Sequence, residues 1–257
     1  MKILRYKSNG QQGYGVLNED DSISELIGSP FDNFTVGGQV GDINNAEILP
    51  PVEPSKIIAV GLNYMGHIQE MNHDAPKVPM LFMKPNSSLI GQGEAIVYPK
   101  KAEVVEHEAE LVVVIGKAGR HVSEENALDY VLGYTCINDV SARNMVASDI
   151  GKGLSMRWKH FDTFCPIGPY IETDVGDPNN LGIECFVNGK LSASGRTSEM
   201  IFPIAMLISW VSEVMMLRPG DIIPTGCPAT GEIKVGDDVE VRIENVGSLV
   251  NPVVPDY

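Results

Sequence analysis

Residues 106–116 read Glu106-His107-Glu108-Ala109-Glu110-Leu111-Val112-Val113-Val114-Ile115-Gly116, a run that starts acidic and turns wholly apolar. An unbroken stretch rich in β-branched residues is what a strand buried on both faces looks like. Side chains alternate along a strand, so Glu108 and Glu110 point the same way and two carboxylates are aimed together at the edge of a core. Like charges that close raise each other's pKa unless something positive sits between them, and a hard divalent cation is the usual solution. The spacing alone also fits a solvated strand end, with Glu103 and Glu106 continuing a charged face, and it leaves both readings open.

Outward from this strand lie further apolar runs bounded by turn residues: Lys56 to Val60, Met80 to Met83, Ala95 to Tyr98, Gly133 to Asn138, Ile183 to Val187 and Val239 to Ile243. They read as strands. Asn188-Gly189 is a hairpin signal, because both central positions of a type I′ turn need positive φ. Helical candidates are few: Glu124 to Tyr130 behind the cap candidate Ser123, Ser141 to Ser148, and Pro203 to Leu217. The pattern is a β-rich α+β body, not a doubly wound sheet. Residues 1–50, with short alternating segments at Lys2 to Tyr6 and Gly13 to Leu17, read as a small β domain. The proline-rich segment from Leu49 to Pro54 then reads as a stiff connector to a larger domain over 51–257.

The 257 residues carry a formal net charge of -15 with no Lys/Arg-rich run, so nucleic acid and anionic membrane are poor partners. The same acidity repels a carboxylate substrate at long range, and a site for one must carry concentrated positive charge, which a metal supplies. Cys136, Cys165, Cys185 and Cys227 form no C-x-x-C pair and read as buried free thiols. With no apolar leader in the first ten residues, the cytoplasm is the expected compartment. The apolar stretch from Met200 to Leu217 contains Pro203, Ser209, Ser212 and Glu213, which points to an amphipathic helix docked on the core rather than a membrane span.

Three further features carry chemistry. Asp139 stands where an apolar strand meets the candidate helix at Ser141, so it is a third oxygen ligand or simply that helix's cap. Three carboxylates without Cys or clustered His would favour magnesium or manganese over zinc. His67 and Glu70, if helical, are an i, i+3 pair that could activate a water or decorate a surface. Read alone, Lys84 and Lys159 are ordinary solvent-facing lysines.

Taken in order, seven segments resemble the fumarylacetoacetate hydrolase superfamily across roughly residues 55–250. GLNYMGHIQEM (61–71) resembles G-x-N-Y-x-x-H-x-x-E-M, LFMKPNSSLIG (81–91) the F-x-K-P block, and HEAELVVVIGK (107–117) the metal strand. YTCINDVSARN (134–144) is similar to the Asp-bearing segment, and WKHFDTFCPIGP (158–169) to the lysine block. GRTSEMIF (195–202) resembles a substrate-side loop, and RPGDIIPTGCPATG (218–231) resembles G-D-I-I-x-T-G-T-P-x-G.

The resemblance implies a mixed β-roll catalytic domain behind the small N-terminal β domain, assembled as a homodimer. It implies that Glu108, Glu110 and Asp139 hold the metal, Mg2+ or Mn2+, with Ca2+ able to replace it in crystals. It further implies that His67, Glu70 and Lys159 are catalytic, the first two on a lid. Asn63, Tyr64, Lys84, Arg143, Thr197, Thr225 and Gly226 fall on the substrate side. The implied activity is hydrolysis of a C–C bond in a small 2-oxo acid of the acylpyruvate type, through an enolate that the cation stabilises. Decarboxylation of an oxaloacetate-like acid, or isomerisation or tautomerisation of a 2-oxo or 2-hydroxydienoic dicarboxylate, passes through the same enolate; a noncatalytic binder is the remaining alternative. Asn144, His160 and Cys227 depart from the family's common residues, the last from the Thr of T-G-T-P.

Overall fold

The computed structural model describes residues 1–8, 10–70, 74–146 and 157–257, without the side chains of Gln11 and Glu70. In chain order the first strands are β1 (Lys2–Ser8), β2 (Gln11–Leu17), β3 (Ser22–Gly28), β4 (Phe34–Asp42), β5 (Glu47–Leu49) and β6 (Ile57–Gly61), followed by helix α1 (Met65–Glu70). Then come β7 (Met80–Lys84), β8 (Leu89–Ile90), β9 (Ile96–Tyr98), β10 (Val105–Ile115), β11 (Val131–Asn138), β12 (Ser141–Ala142) and β13 (Cys165–Glu172). The chain continues with β14 (Gly182–Val187), β15 (Lys190–Arg196), α2 (Ile204–Val214), β16 (Ile222–Pro224), β17 (Thr230–Ile233), β18 (Asp238–Ile243) and β19 (Gly247–Pro255).

The acidic run is β10, and the larger sheet is arranged about it in the order β4-β3-β2-β1-β13-β11-β10-β16-β6-β7. A second sheet runs β15-β14-β18-β19-β9. Both faces of β10 are buried, as its composition requires. Ala109, Leu111, Val113 and Ile115 enter the main core with Ile183 and Val241 of the second sheet and Leu207 and Val211 of α2. Val112 and Val114, on the opposite face, meet Ile137, Ile167 and Ile222 in a second core. Burying each such side chain is worth about 1.5–3 kcal/mol. Glu106, Glu108 and Glu110 belong to the same row as Val112 and Val114, so the carboxylates stand at the rim of that second core.

The N-terminal strands join the larger sheet through β1, whose Lys2 and Ile3 lie opposite Glu172 and Ile171 of β13. The expected hairpin is present between β14 and β15, with Asn188 at φ 52° and Gly189 at φ 72°. Helix α2 buries Ile204, Leu207, Ile208 and Val211 on one face and ends earlier than expected, at Val214, with Met215 extended. Glu124–Tyr130 forms a 3-10 turn to which Ser123 gives no side-chain cap.

The helix expected from Ser141 does not start there. Ser141 lies opposite Glu106 in the β10–β12 pairing, and a 3-10 turn, Arg143–Met145, follows. Residues 147 and 148 of that expected helix lie outside the described ones. All four cysteines are buried and free. Among the described residues no helix is long and apolar enough to cross a membrane.

Candidate active site

Glu108 and Glu110 lie where β10 changes partners. Toward its start the strand pairs with β12 and β17, with Glu108 opposite Thr230. From Ala109, opposite Asn138, it pairs with β11, and from Val112, opposite Pro224, with β16. The fork is fastened by polar bonds: the Glu108 N–H donates to Asn138 Oδ1 (2.9 Å), and the Asp139 N–H donates to the Glu108 carbonyl (2.9 Å).

Into this fork come two lysines that sequence spacing alone would have left on the surface. Lys159 Nζ donates to Glu108 Oε2 (2.6 Å), Asp139 Oδ2 (2.5 Å) and the Asp139 carbonyl (2.9 Å). Lys84, at the end of β7, donates to Asp139 Oδ1 (2.6 Å) and to the Lys159 carbonyl (2.8 Å). Both are almost fully buried, at 3% and 5% exposure for Lys84 and Lys159. Asp139 is therefore not a helix cap; each of its oxygens accepts from an ammonium group. Glu108 Oε1 accepts from Ser141 Oγ (2.7 Å) and Arg143 Nη2 (3.1 Å), and Arg143 Nε donates to Glu106 Oε2 (2.6 Å).

The electrostatics follow from these partners. Burial by itself would raise the pKa of Glu108, but Lys159 and Arg143 outweigh it and lower the value to about 2. Burial likewise opposes the charge on Lys159, yet Asp139, Glu108 and Glu110 hold its ammonium above the ordinary lysine range. Glu110 is the exception. Burial first, then Asp139, push its pKa well up, and its oxygen accepts one backbone bond, from the Gly226 N–H (2.8 Å). Among the described residues it makes no ion pair.

Cys227 completes the corner. Its sulfur is 3.6 Å from Glu108 Oε2, and ligand atoms of Glu108, Glu110 and Cys227 all lie within 4.8 Å of one another. Burial, then Glu108 and Glu110, raise its thiol pKa well above the ordinary value.

The loop that carries Gly226 and Cys227 is set by β16 and by Asn63. Asn63 Nδ2 donates to the carbonyls of Thr225 (2.8 Å) and Phe202 (3.1 Å), and its Oδ1 accepts from the Phe202 N–H (2.8 Å). The side-chain amide is thus engaged in stapling backbone. Gly226 has φ +92°, and a Cβ there would stand 2.9 Å from that of Asn63, so the position requires glycine. Thr225 Oγ1 donates to the Leu111 carbonyl (2.9 Å), which ties the loop to β10. Tyr64 is buried beside the same loop. Burial, then Glu110, raise its phenol pKa well above the ordinary 10, so it is a neutral donor at physiological pH.

The structure therefore gathers Glu108, Glu110, Asp139, Lys84, Lys159, Arg143, Thr225 and Gly226 about one buried corner, with Asn63 and Tyr64 against its loop. His67 is buried on α1, whose Gly66 faces the Pro228 carbonyl at the far end of that loop. The Glu70 side chain lies outside the described residues, so the His67–Glu70 pairing is not described. Thr197 is engaged elsewhere, accepting from the Leu181 N–H (2.8 Å). Ser141, Asn138 and Glu106 are members that sequence reasoning missed; Ser141 suits a helix start, and only the β12 pairing brings it to Glu108. Asn144 Oδ1 accepts from the N–H groups of Glu103 (3.1 Å) and Val104 (3.3 Å), a task that an aspartate oxygen would perform equally. His160 Nε2 meets the Met83 carbonyl at 2.8 Å, beside Lys84.

These residues fit a divalent cation. Among the described residues, the four carboxylates of Glu106, Glu108, Glu110 and Asp139 form their ion pairs with Lys84, Arg143 and Lys159, and Glu110, which is buried, takes part in none of them. Glu110→Gln tests this directly. A carboxyl whose pKa is raised in the folded state contributes stability below its ordinary 4.5 and loses it as pH rises through the folded value. With cation chelated, the glutamine variant is expected to melt higher than the parent at pH 7, by a margin that shrinks toward pH 4.5. With cation in excess the order reverses. Identical pH profiles in chelator would show that Glu110 carries no surplus charge.

Known proteins resemble this chain along its whole length. Residues 56–254 match the family described as fumarylacetoacetate (FAA) hydrolase C-terminal, and residues 1–51 match that described as Rv2993c-like, N-terminal. The chain is 42% identical to the mitochondrial oxaloacetate tautomerase of Xenopus laevis over 82% of its own length and 69% of that protein's. The crystal structure of 5-carboxymethyl-2-hydroxymuconate delta-isomerase from Mycobacterium smegmatis superposes with a TM-score of 0.91 at 39% identity, covering all of both chains. Fumarylacetoacetate hydrolase from Exiguobacterium antarcticum superposes with a TM-score of 0.87 at 32% identity, again over both whole chains.

Proposed function

The chain belongs to the fumarylacetoacetate hydrolase family, and from that premise we propose that it is a divalent-cation-dependent tautomerase or isomerase of a small 2-oxo dicarboxylic acid. The observation that carries this reading is the Lys159 ammonium, buried between Glu108 and Asp139 at 2.6 and 2.5 Å. Glu108, Glu110 and Asp139 hold the cation. When bound, it supplies Lewis acidity toward a keto oxygen and an attractive charge for a carboxylate.

The residues of the chain do the rest. Keto–enol interconversion removes one proton from the carbon beside the keto group and delivers one to the keto oxygen, with the electron pair of the broken C–H bond moving toward oxygen. Lys159, kept charged by its acidic neighbours, stabilises the negative charge that develops there. Lys84 holds Asp139 and the backbone of Lys159, and so fixes the direction of that ammonium. His67 on α1 is the base that takes the carbon-bound proton. Tyr64, neutral and buried, helps to keep the corner dry.

Similarity supports isomerisation over hydrolysis, since relatives named as tautomerase and isomerase stand at 42% and 39% identity and the named hydrolase at 32%. Hydrolysis of an acylpyruvate, with His67 activating water, is the second reading. It is favoured by the match to that hydrolase over the whole of both chains. The decay of enol-oxaloacetate and the consumption of acetylpyruvate, each followed by ultraviolet absorbance with magnesium or manganese and with chelator, separate the two. Cation-dependent acceleration of enol decay is expected. Acetylpyruvate cleavage without it would establish the hydrolase, and no effect on either acid would leave a noncatalytic binder. His67→Ala is expected to keep cation affinity unchanged while lowering kcat by about 10²–10⁴-fold. Full turnover in that variant would remove His67 from the mechanism.

A further inference from the structure

An all-carboxylate site favours hard ions such as magnesium. The corner found here is not all carboxylate. Cys227 stands where the family's T-G-T-P pattern has a hydroxyl, and its sulfur belongs to the same 4.8 Å group of ligand atoms as Glu108 and Glu110. Donors around a tetrahedral ion stand roughly 3.2–3.8 Å apart, given metal–ligand bonds of about 2.0–2.3 Å. Cys227 Sγ and Glu108 Oε2, at 3.6 Å, already meet that spacing. A second observation points to a polar guest in the same place. The Tyr64 hydroxyl is buried without a well-formed hydrogen bond among the described residues, with Thr225, Glu110 and Cys227 among the groups that act on it.

We propose that Cys227 is a ligand of the cation centre, making a mixed oxygen and sulfur site that holds zinc-, cobalt- or iron-type divalent ions more tightly than magnesium. The proposal rests on the reading that Glu108 and Glu110 hold a cation. As the sulfur–metal bond forms, the S–H bond breaks and its proton leaves to solvent. Softer sulfur gains most with ions late in the Irving–Williams order and little with magnesium, so this one side chain sets metal preference without changing the carboxylate frame.

The test titrates the metal-free full chain with cobalt(II), following bound metal by equilibrium dialysis and thiolate-to-cobalt charge transfer by near-ultraviolet absorbance. One cobalt per chain with a charge-transfer band is expected. The band should vanish in Cys227→Thr and persist in Cys185→Ala, whose cysteine lies in the second sheet. Cobalt affinity should fall in Cys227→Thr by at least the roughly 10–100-fold that loss of an outer-shell partner costs, while magnesium affinity changes by less than about threefold. X-ray absorption of the cobalt-loaded parent needs no variant and should show one sulfur neighbour among oxygens. A cobalt bound without a band, an oxygen-only shell, or equal cobalt affinity in Cys227→Thr would overturn the sulfur ligand and leave the carboxylate centre standing. No uptake of cobalt, magnesium or manganese would overturn both.

Discussion

Glu108→Ala is expected to abolish cation uptake and, with it, turnover, because one carboxylate serves three roles at the fork of β10. It is the proposed cation ligand, the partner of Lys159 and Arg143, and the acceptor for Ser141. Losing the Lewis acid forfeits several kcal/mol of transition-state stabilisation, which corresponds to a fall of roughly 10³-fold or more. Folding suffers too, because breaking a buried ion pair from one side costs roughly 3–5 kcal/mol. The sign of the pH dependence separates these effects. The Glu108 pKa is lowered from its ordinary 4.5 to about 2 in the folded protein. Its contribution to stability is therefore complete above 4.5 and is lost as pH falls toward 2. Unfolding followed between pH 6 and 2 should show a shallower acid limb in the variant than in the parent. Unchanged metal stoichiometry by dialysis in Glu108→Ala would remove this residue from the centre.

Lys159→Met is expected to move binding and turnover in opposite directions. In the proposed mechanism the ammonium stabilises a developing enolate, so its loss should lower kcat by about 10²–10³-fold. Yet the same ammonium competes with a cation for Glu108 and Asp139, and its removal should tighten cation binding, as read by dialysis. Without cation, the variant leaves two buried carboxylates short of a partner and should unfold several kcal/mol more easily. Saturating cation then restores stability, by about 2.7 kcal/mol at a hundredfold excess over Kd. A residue with a purely architectural role would lose affinity and turnover together, and that result would sink the assignment.

Much of this site was legible in the residues themselves because a strand's period of two is rigid. Once residues 106–116 were a strand, Glu108 and Glu110 had to share a face, and they do. The lysines were not legible that way. Lys84 and Lys159 reach Asp139 across 55 and 20 positions of chain, and Lys159 reaches Glu108 across 51, so only the resemblance placed them. Ser141 misled because a serine after an acid suits a helix start, whereas pairing with Glu106 keeps it extended. Cys227 was visible as a departure, but its closeness to Glu108 depends on β16 lying beside β10, a pairing that no local pattern encodes. The same holds for the union of β1 with β13: the first fifty residues read as a separate unit, and nothing in them announces Glu172 as a partner.

The alternation along β10 has one more implication. Its carboxylates share a single pleat row with Val112 and Val114, so sliding the strand by one position would thrust Glu108 and Glu110 among Leu207, Val211 and Ile183 while turning Leu111 and Val113 the other way. A misaligned conformer is thus heavily penalised by the very groups to which the chemistry is assigned by proposal. Molecules that reach the folded state carry the site in working order, and assembly needs no separate proofreading of its alignment.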